Sequence, residues 1–320
     1  MAVQSARRVS TSQENHALRR FLTIFSFLAV PLLLYSIWVL WPTLNTFFLA
    51  LSKWDGYTPP ESVGLANFQE LFTDRAFFKS ISNNLLWIVV FITVPTVGGL
   101  ALAVVLNNAL RFDRFLKVSY YLPMVVAPVV VALVWTWVYL PTAGLMNNVI
   151  FAILSGIKAI GFNVDPQSAF NIAWLGDPNL ALLAVMGPGI WRQVGYVMIL
   201  YLAGLKAVDA EVVEAARVDG AEGWNLFRYV IFPMLAPVTT IVVVISVIDS
   251  LRSFDLVNVM TKGGPFDSSQ VLANYMYIKA FDDNRMGYGA AIAVVLFAIS
   301  VTFIFLYLRQ VMAQEDEGKA

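Results

Sequence analysis

Runs of about 20 apolar residues recur along this chain, and a run of that length crosses the hydrocarbon of a bilayer as a helix. No other feature narrows the possible folds so far. Backbone inside lipid must satisfy its own hydrogen bonds, which leaves helices and closed barrels, and runs this long fit helices. Of 320 residues, 59% are hydrophobic and 13% charged, as expected of a polytopic membrane protein. The apolar segments predict an all-α fold of six transmembrane helices, over 21–48, 84–105, 118–140, 180–205, 235–260 and 287–308.

The segments between the spans supply orientation and some exclusions. Residues 1–20 hold Arg7, Arg8, Arg19 and Arg20 and predict a disordered cytoplasmic tail; the apolar run that follows is too long for a cleavable signal. With the N-terminus inside, the inner segments also carry Arg111, Arg114, Lys117, Lys206, Arg217, Arg228, Arg309 and Lys319. The longer outer segments carry Lys53, Arg75, Lys79, Lys158, Lys262, Lys279 and Arg285. Arg192 and Arg252 fall within spans and are left out. Both termini, including a tail over 311–320, and the polar loop 206–234 then face the cytoplasm. Formal charge is balanced, so no nucleic-acid partner is implied. There are no cysteines and a single histidine, His16, in the polar tail, which removes disulfides and thiolate chemistry and argues against a metal site. Within the long outer segment 141–179, residues 146–162 are apolar but too short to span, and predict an interfacial or re-entrant helix.

The loop 206–234 is a polar island between two apolar runs, and its order is unusual for a membrane chain. Asp209 suits a helix N-cap, Glu211 lies in the first turn where the dipole favours acid, and Gly220 suits a left-handed C-terminal stop. Val208, Val212, Ala215 and Ala216 recur at helical spacing, with Glu211 and Glu214 on another side. A short helix of about three turns follows, offering small side chains and carboxylates to a partner.

Glu214-Ala215-Ala216, three residues, Gly220, nine residues and Val230-Ile231-Phe232-Pro233 resemble the EAA loop of the permease subunits of binding-protein-dependent ABC importers. That pattern ordinarily ends Ile, any residue, Leu, Pro; Val230 and Phe232 depart from it but stay apolar. In that family the loop docks in a cleft of a separate ATPase and transmits its closure. The resemblance therefore nominates Glu211, Glu214, Ala215, Ala216, Asp219 and Gly220 as the ATPase-coupling segment. Gly64-Leu65 before Asn67-Phe68, Trp174-Leu175-Gly176-Asp177-Pro178, Thr261-Lys262-Gly263-Gly264-Pro265 and Gly287-Tyr288-Gly289-Ala290-Ala291 resemble outer segments of carbohydrate-type permeases. Over residues 21–310 the chain is most similar to the first permease subunit of maltose-type and glycerol-phosphate-type importers. The resemblance implies a type I ABC importer permease fold in a bacterial or archaeal cytoplasmic membrane. It implies as partners a second, paralogous permease, two ATP-binding subunits, and an external solute-binding protein that hands over a sugar. ATP and Mg would act at the partner ATPases. This chain would bind no cofactor and catalyse no reaction.

Polar residues inside spans mark a candidate path, because they are costly in lipid and tend to face a bundle interior. Trp191, Arg192, Gln193 and Tyr196 interrupt the fourth span after Gly187-Pro188-Gly189, a stretch expected to loosen the helix and free its carbonyls. Ser246, Asp249, Ser250 and Ser253 recur along one face of the fifth. Tyr120, Tyr121, Met124 and Pro128 stand near an expected kink at Pro123. Sugars want aromatic platforms and neutral hydrogen-bonding groups, which Gln193, Tyr196, Ser250 and Ser253 supply. By their offset from the EAA-like segment, these four also fall where maltose-type permeases place substrate contacts, with Met124 and Pro128 matching approximately. The bland reading is that such groups hydrogen-bond helix to helix. Arg192 and Asp249 are expected to form an ion pair between the fourth and fifth spans. Alternatively, Arg192 meets an anionic solute such as a glycerol phosphate, although a lone arginine is a thin phosphate site.

No Gly-x-x-x-x-Gly-Lys-Ser/Thr stretch occurs, so the chain has no phosphate loop of its own; Gly263-Gly264-Pro265 reads as a turn. An ion-driven secondary transporter would need intramembrane carboxylates, of which Asp249 is the one strong candidate, and would leave the loop 206–234 unexplained. An intramembrane enzyme would need a catalytic constellation, and no set has convincing spacing.

Overall fold

A computed structural model describes residue 23, residues 25–107 and residues 112–317, with the side chains of 308 and 310–317 outside the description. The tail predicted over 1–20, with its arginines and His16, lies outside the described residues, as do Arg111 and Lys319.

Among the described residues, four helices are long and apolar enough to cross a membrane: α1 (Phe25–Ala50), α3 (Arg75–Asn107), α7 (Ala181–Ala207) and α13 (Met286–Glu317, apolar to Tyr307). Before α3, a short antiparallel hairpin of β1 (Ser52–Lys53) and β2 (Glu61–Ser62) leads into α2 (Ala66–Leu71). Two further pairs are bent, and counting each as one span brings the number to six. The first pair, α4 (Asp113–Val125) and α5 (Pro128–Val138), meets at 101°. The break falls before Pro128, where Ala127 is extended at ψ 136°, as the residue ahead of a proline prefers. Pro123, the expected kink, lies inside α4. Between α5 and α7 comes α6 (Leu145–Ala159), the short apolar helix expected in the outer segment. The polar loop contains α8 (Ala210–Val218). The second bent pair follows it, α9 (Gly223–Met234) and α10 (Ala236–Leu251), at 68°.

Helix bounds differ from the sequence expectation in instructive places. α3 begins at Arg75, nine residues ahead of 84: Arg75, Lys79 and Ser82 stay exposed, while Ser80, Asn83 and Asn84 turn inward, buried and hydrogen-bonded. The helix expected over 235–260 stops at Leu251, and the chain restarts as α11 (Asp255–Met260) after Arg252–Phe254. α12 (Leu272–Tyr277) then precedes α13, whose helix continues into the tail expected over 311–320 as far as Glu317.

Three buried clusters hold the helices. Trp87, Phe91, Val131, Tyr139, Val185, Met186 and Val257 join α3, α5, α7 and α11. Ala103, Val197, Met198, Tyr201, Leu235 and Val242 join α3, α7 and α10. Leu71, Phe77, Leu272, Tyr275, Tyr288 and Ile292 gather α2, α12 and α13 at the end of α3 nearest the hairpin. Lipid tails are as apolar as leucine, so association here rests on close approach and interhelical hydrogen bonds. A Cβ on Gly195 would stand 1.9 Å from the Tyr120 carbonyl oxygen, and one on Gly99 2.5 Å from Val197 Cγ1. α7 can therefore seat against α4 and α3 only without side chains at those points. Tyr201 Oη donates to Thr239 Oγ1 at 3.0 Å, tying α7 to α10.

Candidate functional site

The polar loop is built as its residues dictate. Asp209 is extended and its carboxylate accepts the Glu211 N–H at 2.9 Å, capping α8. At the other end Gly220 takes φ +90°, its N–H donates to the Arg217 carbonyl at 3.1 Å, and Ala221 N–H donates to the Ala216 carbonyl at 2.9 Å. Together these bonds form the Schellman stop. The chain then turns into α9, fixed by an aromatic row of Trp224, Phe227 and Phe232 with centroids 5.5 and 6.1 Å apart. Glu211, Glu214, Ala215, Asp219 and Gly220 are exposed and Ala216 is half-buried. Exposed beside them are Val212, Val218, Trp224 and Tyr229, an apolar surround that spacing had not singled out beyond Val212. The loop's roots are fixed: Val208, Ile231 and Leu235 pack on the cluster joining α3, α7 and α10. Packed side chains thus join both ends of the loop to the spans.

The second candidate is a cavity of about 240 Å³ among α3, α4, α7, α10 and the Arg252–Phe254 break. Of the residues nominated from sequence, Met124, Pro128, Arg192, Gln193, Asp249 and Ser253 line it. Ser250 does not: it is fully buried behind the wall, its Oγ donating to the Ser246 carbonyl at 2.6 Å. Helix ridges are broad, and the cavity takes Asp249 and Ser253 while Ser246 and Ser250 face the interior of the bundle. Trp191 packs on Trp135 at 5.8 Å, and neither it nor Tyr196 is part of the wall. Gly187-Pro188-Gly189 does not loosen α7, which is helical throughout. A Cβ at Gly189, which also lines the cavity, would meet Phe91 at 2.7 Å, and one at Gly187 would meet Tyr139 Oη at 2.7 Å, so both glycines permit close packing.

The expected ion pair is not formed. Among the described residues no contact within 4.0 Å links Arg192 to Asp249, and Arg192 Nη2 instead donates to the Met124 carbonyl at 3.5 Å. Both side chains open onto the cavity and are only partly buried, so neither is the sealed, uncompensated charge that demands a partner. Sequence reasoning missed the rest of the wall: Trp87 and Phe91, Arg252, Phe254, Asp255 and Leu256. The aromatic pair at i, i+4 in the second span was a usable signal. The break at 252–254, which brings Asp255 to the wall, had none. The wall carries two arginines, two aspartates and three aromatic residues. On wall residues, Trp87 Nε1 and Arg192 Nε are buried with no hydrogen-bond partner among the described residues, and the Gln193 side chain lies against the Asp249 carboxylate.

Residues 96–314 match the family described as binding-protein-dependent transport system inner membrane component. A probable ABC transporter permease of Pyrococcus horikoshii is 35% identical over 286 residues, 89% of this chain and 94% of that protein. A diacetylchitobiose uptake system permease of Streptomyces coelicolor is 31% identical over 308 residues, 92% and 84% of the two chains. In fold, the chain is similar to a chain of a bacterial alginate ABC transporter crystallised with its alginate pentasaccharide-bound periplasmic protein. The TM-score is 0.74 at 18% identity, covering 91% of this chain and 94% of that one.

Proposed function

The chain belongs to the family of binding-protein-dependent transport system inner membrane components, and from that premise we propose that it is the permease subunit of an ATP-driven importer of a neutral di- or oligosaccharide. The observation that carries the sugar reading is the cavity wall. Phe254 presents a part-exposed aromatic ring, Trp87 and Phe91 form buried apolar lining, and Gln193 and Ser253 bring neutral hydrogen-bonding groups to the wall. A hydroxylated ring suits such a lining without bringing charge. The relative named for diacetylchitobiose uptake points toward carbohydrates.

In this reading an external solute-binding protein delivers the sugar on the side of α6 and the 261–272 turn. Two partner ATPases bind ATP and Mg and grip Glu211, Glu214, Ala215, Ala216, Asp219 and Gly220. A second, paralogous permease completes the channel. ATP-driven closure displaces α8, and through Val208, Ile231 and Leu235 it tilts the spans so that the cavity opens alternately to each side. The permease itself performs no covalent chemistry. Both termini and the α8 loop lie on the cytoplasmic side of the inner membrane.

Arg192 and Arg252 favour a second reading, an anionic polyol phosphate such as glycerol phosphate. Asp249 and Asp255 share the same wall and cancel that attraction, which ranks it second. The deciding experiment reconstitutes the complete importer in proteoliposomes and measures ATP turnover with binding proteins loaded with neutral disaccharides, oligosaccharides or glycerol phosphate. Stimulation by the phosphate ester alone would refute the neutral-sugar reading; uptake without ATP would refute the importer.

A further inference from the structure

The segment between α11 and α12 is a turn with three non-glycine residues at positive φ, Lys262, Phe266 and Asp267, and Phe266 at its tip is 92% exposed. A backbone held in that region persists only where its surroundings determine it. Here the surroundings are buried side-chain amides. Asn83 Nδ2 donates to the carbonyls of Ser268 at 2.9 Å and Gln270 at 2.8 Å.

Its neighbour on α3 reaches elsewhere. Asn84 Oδ1 accepts the Leu272 N–H at 2.8 Å, where the turn enters α12, and Asn84 Nδ2 donates to the Ser250 carbonyl at 3.1 Å, in the last turn of α10. That same carbonyl accepts Ser253 Oγ at 2.7 Å, and Ser253 lines the cavity. A second route leaves the turn through Gln270: Asn274 Nδ2 donates to Gln270 Oε1 at 2.6 Å, and Asn258 Nδ2 on α11 donates to Asn274 Oδ1 at 2.9 Å. The exposed turn is thus hydrogen-bonded to both sides of the 252–254 break through buried amides. Asn84 alone among them bonds the turn's exit and the end of α10 at once.

We propose that Asn84 is a positioning residue that transmits displacement of the outer turn to the cavity lip at 252–255. It has no place in the cavity wall itself. The proposal rests on the importer reading above, in which a partner seats on that outer side. A rigid amide with both ends satisfied moves the Ser250 carbonyl when Leu272 moves, and Ser253 and Arg252 follow. Removing the side chain leaves the turn held by Asn83 but uncouples it from the lip.

The test uses the complete reconstituted importer and titrates ATP turnover with the solute-loaded binding protein that stimulates the wild type most. In Asn84→Ala the maximal stimulated rate is expected to fall at least about tenfold, while unstimulated turnover and the half-saturating binding-protein concentration stay within about twofold. Asn84→Asp keeps the acceptor for Leu272 but loses the donor to Ser250, and is expected to fail in the same way. Asn83→Ala is the folding control: an equally buried amide on the same helix that touches the turn but not the lip, expected to keep the maximal rate. An undiminished maximal rate in Asn84→Ala overturns the proposal alone. So does a fall in unstimulated turnover and yield shared with Asn83→Ala, which would mark Asn84 as structural. A wild type that answers no loaded binding protein overturns the importer reading, and the relay with it.

Discussion

Ala221 donates its backbone N–H to the carbonyl of Ala216 at 2.9 Å, a bond that closes α8 because Gly220 between them takes φ +90°. An L-residue there pays in sterics, about 1 to 2 kcal/mol, and a β-branched one more. Gly220→Val is therefore expected to unwind the last turn of α8 and misplace Glu214. Solute-stimulated ATP turnover of the assembled importer should fall about tenfold or more, with Gly220→Asn close to wild type because asparagine tolerates this backbone. Nothing within 4 Å of an added Cβ at Gly220 would clash, so the comparison isolates conformation from crowding. Glu214→Lys should reduce the same turnover without altering α8, since Glu214 is exposed and takes no part in the capping. A normal rate in both Gly220→Val and Glu214→Lys would remove the coupling role.

The balance of charge on the cavity wall separates the two solute readings. Arg192→Gln and Arg252→Gln each remove one positive charge from a wall that also holds Asp249 and Asp255. Uptake of a neutral sugar is expected to fall by about ten- to a hundredfold and still be measurable, because lost charge-assisted hydrogen bonds cost about 1.5 to 3 kcal/mol. Uptake of a phosphate ester would be abolished by either change. Phe254→Ala should injure sugar uptake more than either arginine variant, as it removes the part-exposed aromatic ring of the wall. Radiolabelled uptake in proteoliposomes reads all three.

How much of this was legible in the sequence depends on whether a residue's role was set locally. Asp209, Glu211 and Gly220 are local: a cap and a left-handed stop act within one helix, and the structure has both where spacing placed them. The apolar runs are local too, hence the all-α fold. The cavity is not. Ser250 and Asp249 are adjacent on one helix, yet Ser250 is sealed against α3 while Asp249 faces the opening, a choice made by what packs alongside. Asn84 reads as the polar start of a span, and only the folded chain shows that its partners lie at Ser250 and Leu272, far along the sequence.

Outside the spans, Asp74 offers a pH test. Partial burial would raise its carboxyl, but hydrogen bonds from Tyr275, from Tyr288 Oη at 2.6 Å and from the Ala76 N–H at 2.9 Å outweigh this and hold it below the usual carboxylate range. A carboxylate lowered on folding contributes stability above its unfolded value of 3.8, and that contribution is lost as pH falls through the folded value. Thermal melts of the purified assembly are thus expected to show no contribution from Asp74 to pH dependence between neutrality and about pH 5, and a loss below that. Asp74→Asn should melt several degrees lower at neutral pH and show a shallower acid limb. An acid limb unchanged by the substitution would mean that the Tyr275–Asp74–Tyr288 cluster does not bind α3, α12 and α13 together at the hairpin side as described.

The crossing of α4 and α7 at Gly195 leaves no room for a side chain. An added Cβ would lie 1.9 Å from the Tyr120 carbonyl oxygen and 3.2 Å from Tyr121 Cα, so the obstacle is backbone and no rotamer change relieves it. Gly195→Ala must push α4 outward by more than an ångström, and α4 ends at Met124 and Val125 beside the cavity. The expected result is reduced yield of assembled importer and, in what assembles, weaker uptake, because displaced α4 carries Met124 away from Arg192, whose Nη2 bonds its carbonyl. Gly156→Ala is the matched comparison: it too is helical, and an added Cβ there meets nothing within 4 Å, so it should gain slightly from the higher helix propensity of alanine. Equal yield and uptake in the two variants, measured side by side, would show that α4 and α7 are not packed backbone to backbone at this point.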